Sequence, residues 1–117
     1  MPRRGEIWLA NLNPQRGTEP GKTRPVLVVQ AQALLDAEHP STIVVPLTMR
    51  LVENAEPLRV RVPRSGKLRR DSDVLVDQLR AIDNRRLVSG PLLALDVVTV
   101  RRVVAAIGEV IGAEPAE

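Results

Sequence analysis

A chain of 117 residues, 44% hydrophobic and 26% charged, has the length and balance of one domain over residues 1–117, large enough to bury a core. Trp8 is the sole aromatic residue and cysteine is absent, so the core must be aliphatic, and disulfides, thiolate nucleophiles and zinc-thiolate sites are excluded. A single histidine, His39, rules out paired-histidine chemistry, and a net charge of +3, with Lys22 and Lys67 the only lysines among the cations, is a weak pull toward anionic partners.

Glu6 to Leu12 predicts a first strand, bounded by Gly5 and by the turn pair Asn13-Pro14. A loop follows from Asn13 to Thr23. Arg24-Pro25 leads into Val26-Leu27-Val28-Val29, an uninterrupted apolar run that predicts a strand buried on both faces. Gln30 to Glu38 predicts a short helix ended by His39-Pro40. Thr42 to Thr48 predicts another apolar strand, with Pro46 marking an edge or a bulge. Leu58 to Val62 alternates strictly, which sends Leu58, Val60 and Val62 inward and Arg59 and Arg61 outward. Asp73 to Ile82 reads as one longer strand, with Asp77 on the face of Leu75 and Leu79 and Gln78 on the other. From Asp96 the apolar positions change to helical spacing, with Asp96 as N-cap and Gly112 as the stop; the valine content makes a strand the competing reading. The fold class expected is mainly β with a C-terminal helix, a small antiparallel barrel.

Four constellations could carry chemistry. Glu19 and Arg24 lie five positions apart, on a loop and at a strand mouth, where a carboxylate can accept a proton and a guanidinium can hold a phosphate. Spacing alone favours a surface ion pair, which is the commoner arrangement. Thr48 closes Val44-Val45-Pro46-Leu47 and could donate to a phosphate oxygen, although such a hydroxyl ordinarily satisfies nearby backbone. Asp77-Gln78 offers a carboxylate that is either a structural acceptor or an acid/base group. The stretch Arg59, Arg61, Arg64, Lys67, Arg69, Arg70 forms a local positive field, or merely a solvated face. Trp8 fits the core better than a base-stacking platform.

Several segments, taken together and in order, carry a resemblance: Arg3-Gly5-Glu6-Ile7-Trp8-Leu9, Asn13-Pro14, Gly17-Thr18-Glu19, Thr23-Arg24-Pro25-Val26-Leu27-Val28-Val29, Val44-Val45-Pro46-Leu47-Thr48 and Asp77-Gln78-Leu79-Arg80. This set resembles the MazF/PemK/Kid family of toxin endoribonucleases. The resemblance implies an SH3-like barrel, a homodimer and cofactor-free, metal-independent cleavage of single-stranded RNA to a 2′,3′-cyclic phosphate and a 5′-hydroxyl. It also implies an antitoxin partner whose acidic tail covers the RNA groove.

The same resemblance matches Arg24, Thr48 and Glu19 to catalytic positions, and it puts substrate contacts at Asn13, Arg16, Thr18, Arg50, Asp77, Gln78 and Arg80. A histidine of the Kid branch is Thr18 here and an arginine of that branch is Leu75, so the MazF-type Arg24/Thr48 pair is the better match and Asp77 is open to a structural role. The competing classes are a gyrase-poisoning toxin on the same barrel and a nucleic-acid-binding barrel without catalysis. Neither a leader-like N-terminus nor eighteen consecutive apolar residues is present, so a cytoplasmic location away from membranes is expected.

Overall fold

The structure, a computed structural model, describes residues 1–19 and 21–113; Pro20, counted above in the first loop, lies outside the described residues. Seven strands form one open, barrel-like antiparallel sheet: β1 (Glu6–Asn11), β2 (Thr23–Val28), β3 (Ser41–Thr48), β4 (Arg59–Val62), β5 (Ser72–Leu75), β6 (Arg80–Asp83) and β7 (Leu87–Ala94). Their order is β4-β5-β3-β2-β1-β7, with β6 also paired to β3. Two helices, α1 (Gln32–Asp36) and α2 (Val97–Val110), cover the sheet.

The apolar runs of β2 and β3 are continuous because both of their faces are buried. Ile7, Leu27 and Val45 stand in register across β1, β2 and β3 and belong to one cluster, which Val103 and Ala106 of α2 complete. Val26, Val28 and Val44 face the other way and pack with Leu35 of α1 and with Trp8. Pleat alternation thus supplies two cores from one sheet. α2 begins and ends as the sequence predicts: the Asp96 carboxylate accepts from the Thr99 amide at 2.6 Å, and Gly112 takes a positive φ of 73° just beyond the last turn.

Three expectations need correction. The segment Asp73 to Ile82 is not one strand: a 3-10 turn, Val76–Gln78, separates β5 from β6, so Asp77 projects into solvent rather than sharing a strand face with Leu75 and Leu79. The inward valine at 76 sustains the apolar alternation while the backbone turns. Pro46 does not mark an edge, because β3 is central; it falls between Val44, the last residue paired to β6, and Leu47, the first paired to β5. That break in the ladder is where a missing N–H costs least. Leu58, expected inward, is exposed.

β7 has no counterpart among the predicted elements. It is an edge strand, which accommodates Pro91, and β1 bulges against it around Trp8. A Cβ built at Gly90 would lie 2.5 Å from Cδ2 of Trp8, so the indole occupies the space a side chain would need. Gly90→Ala is therefore expected to displace the ring and to cost about 1–3 kcal/mol of stability. Trp8 is the only fluorophore of its kind in the chain, so denaturant midpoint and emission maximum report both effects; wild-type values for both would contradict this account.

Candidate active site

β2 and β3 place the two central side chains. The register sets Val26 opposite Pro46 and Leu27 opposite Val45, and continuing it outward sets Arg24 opposite Thr48. Directly opposed Cα atoms in an antiparallel pair lie about 4.5–5.5 Å apart. Arg24 crosses to the neighbouring strand: its Nη1 donates to the Leu47 carbonyl at 3.5 Å, and its Nε donates to the Gly21 carbonyl at 3.0 Å. Two of five guanidinium N–H groups are so engaged; the other three have no acceptor among the described residues. Thr48 is half-buried, and its Oγ1 accepts from the Arg50 amide at 3.2 Å. The ordinary backbone-satisfying role of such a threonine is thus observed, yet it uses the oxygen lone pair and leaves the O–H free to donate.

Both residues open into a groove of about 1280 Å³ at one end of the sheet. Its walls bring together Lys22, Arg24, Arg50, Lys67, Arg69 and Arg70 against one carboxylate, Glu19. An overall charge of +3 understates this concentration. A cleft lined by one sign of charge focuses the field and raises the local concentration of the opposite sign, here an anion.

Among the expected residues, Arg24, Thr48, Glu19, Thr18 and Arg50 line this groove, whereas Asn13, Arg16, Asp77, Gln78 and Arg80 do not. Asn13 clasps the base of its loop, its Oδ1 accepting from the Lys22 amide at 2.7 Å, and Arg86 donates to its carbonyl at 2.6 Å. Arg16 offers its carbonyl to the Glu19 amide at 3.0 Å, closing the turn that lifts Glu19 to the groove. Glu19 pairs with Arg80 at 3.8 Å and not with Arg24, so the surface ion pair considered from spacing exists with a different arginine. Arg80 Nη1 is buried and makes no hydrogen bond among the described residues. Gln15, Lys22, Ser72 and Leu75 join the groove without a local sequence signal.

The basic stretch divides. Lys67, Arg69 and Arg70 stand on the groove wall, exposed and without an ion-pair partner among the described residues. Arg59 and Arg61 turn instead to Asp73, buried at 1% side-chain exposure, at 3.3 and 2.6 Å. Burial works to raise the Asp73 carboxyl, but hydrogen bonds from Arg61, from the Val52 amide and from Arg59 outweigh it and hold the group below its ordinary value. Among the described residues no helix is long and apolar enough to cross a membrane.

Comparison with known proteins shows the family. Residues 3–111 match the family model described as PemK-like, MazF-like toxin of type II toxin-antitoxin system. An endoribonuclease MazF of Staphylococcus saprophyticus is 38% identical over 88 residues, covering 74% of this chain and 72% of its own. The crystal structure of MazF from Deinococcus radiodurans superposes with a TM-score of 0.79 at 26% identity, over 95% of this chain and 96% of that one. A MazE-MazF crystal structure from the same organism gives a TM-score of 0.75 at 26% identity, with 97% of both chains covered. With nearly its whole length accounted for by one family model, the chain belongs to the PemK-like, MazF-like toxins of type II toxin-antitoxin systems.

Proposed function

We propose that the groove between the first loop, the end of β3 and the Lys67–Arg70 hairpin is where this endoribonuclease toxin cleaves single-stranded RNA. The observation that carries the reading is Arg24 opposite Thr48 on adjoining strands at the floor of a cationic groove. One phosphodiester then meets the free N–H groups of Arg24 and the O–H of Thr48. The ribose 2′-oxygen attacks the adjacent phosphorus as its proton passes to Glu19, and the phosphorane charge falls on donors already in place. The bond to the 5′-oxygen breaks, leaving a 2′,3′-cyclic phosphate and a 5′-hydroxyl. A guanidinium holds its proton too strongly to serve as a base, but it can give a proton to the departing alkoxide.

Arg80 stands beside Glu19 at 3.8 Å, an ion pair without a hydrogen bond, and sets a positive charge against its carboxylate. The groove's charge also suits an acidic antitoxin tail, in line with the MazE-MazF assembly seen for the D. radiodurans relative, and a homodimer is the expected form of the toxin.

Because cations of the protein meet the phosphate, cleavage of a single-stranded RNA by the purified chain is expected to proceed in excess chelator. Sequencing of fragment 5′ ends, with kinase treatment required for labelling, checks both the cut site and the 5′-hydroxyl. Strict dependence on magnesium, or 5′-phosphate ends, would overturn the mechanism; binding without scission would replace the enzyme by a binding module.

A further inference from the structure

The charged cluster beneath the groove is connected to it through backbone. Asp73 lies opposite Thr48 in the β3–β5 ladder. Its carboxylate accepts from Arg61 Nε at 2.6 Å, from the Val52 amide at 2.9 Å and from Arg59 Nη1 at 3.3 Å. The same Arg59 Nη1 donates to the Arg50 carbonyl at 2.7 Å, and Arg61 Nη2 donates to the Val52 carbonyl at 3.4 Å. The Arg50 amide in turn donates to Thr48 Oγ1. One buried carboxylate therefore fixes two arginines, and these fix the backbone of the turn that follows β3. Thr48, Met49 and Arg50 of that turn all line the groove, whereas Asp73 and Arg59 do not.

Nothing about charge alone requires this arrangement. Arg59 and Arg61 could have stood in solvent, as the alternation of β4 predicts; instead both are half-buried over a carboxylate and spend donors on carbonyls of the turn. A mobile turn would let the Thr48 hydroxyl and the Arg50 side chain sample many positions, and a displacement of about 1 Å at a reacting centre can cost about 10²-fold in rate.

We propose that Asp73 and Arg59 are positioning residues for RNA cleavage, holding the Thr48–Arg50 turn in the geometry that receives the phosphodiester. This rests on the assignment of Thr48 as a phosphate-binding group. Asp73 is buried, so its replacement endangers folding, and the discriminating variant is Arg59→Met, which cuts the bridge to Arg50 while leaving Asp73 its bonds to Arg61 and Val52. With the purified chain and a short single-stranded RNA, Arg59→Met is expected to lower kcat about tenfold with KM within about threefold, and Arg59→Lys to recover most of the loss.

In a Thr48→Ala background the same change should cost less than about twofold, because residues acting through one group are not additive. Arg59→Gln carries the comparison if Arg59→Met does not fold. Full kcat in Arg59→Met, or losses that simply multiply with Thr48→Ala, overturn the clamp and leave the cleavage mechanism standing. Undiminished cleavage by Thr48→Ala overturns both, a distinct result.

Discussion

Arg24→Ala is expected to reduce RNA cleavage by about 10²–10³-fold, the usual consequence of removing one preorganised donor from a developing oxyanion. The structure separates this loss from unfolding. Arg24 is half-buried and its only partners among the described residues are two carbonyls, at 3.0 and 3.5 Å, the second at the limit of a hydrogen bond. Gly21 is buried, so its carbonyl loses its Arg24 donor at a cost of about 1–3 kcal/mol, whereas Leu47 retains its ladder partner Val74 in β5. Sheet content should therefore stay close to wild type, with a modest fall in thermal midpoint, while kcat collapses.

Arg24→Lys offers a sharper comparison. It keeps the positive charge but loses the planar fork, so it cannot hold the Gly21 carbonyl and a phosphate together and should restore little of the rate. Cleavage by the alanine variant within about threefold of wild type, far inside the range expected for a lost oxyanion donor, would remove Arg24 from the mechanism.

The elements that the sequence predicts well are those whose local pattern and tertiary role agree. The runs Val26–Val28 of β2 and Val44–Leu47 of β3 are uninterrupted because both faces are covered, and α2 shows its helical period, its N-cap and its glycine stop in the seventeen positions from Asp96 to Gly112. Arg24 and Thr48 could be matched one by one to a family pattern, but their opposition depends on the β2–β3 register, which no local signal fixes. The same dependence hides the division of the basic stretch. Arg59 and Arg61 look like solvent-facing residues until β4 pairs with β5 and brings Arg61 opposite Asp73. β7 escapes because Gly90-Pro91 reads as a break, when Gly90 is there to admit the Trp8 ring and Pro91 is tolerated at an edge. The residues that depart furthest from the expected contacts, Asn13 and Arg16, shape the first loop rather than face its groove, a distinction set by hydrogen bonds nine and three residues apart.

Neutralising Lys67, Arg69 and Arg70 together is the second large change, and it should act on binding where Arg24→Ala acts on rate. Each cation that meets a phosphate of single-stranded nucleic acid releases counterions and adds about 0.7 to the slope of log K against log salt, so each contact contributes about fivefold near 0.1 M salt. The triple alanine variant is expected to bind RNA about 10²-fold more weakly at that salt, with a slope shallower by about 2. All three side chains are exposed and free of ion pairs among the described residues, so their removal leaves no buried charge behind. Contacts made equally in bound substrate and transition state raise KM and leave kcat alone, and saturating RNA should restore the wild-type rate. Arg59 and Arg61, already committed to Asp73, have fewer donors to offer a phosphate and should contribute little to the slope. A salt slope unchanged in the triple variant would mean that the RNA backbone runs along another wall of the groove, and that the hairpin's charge serves only to keep this face wetted.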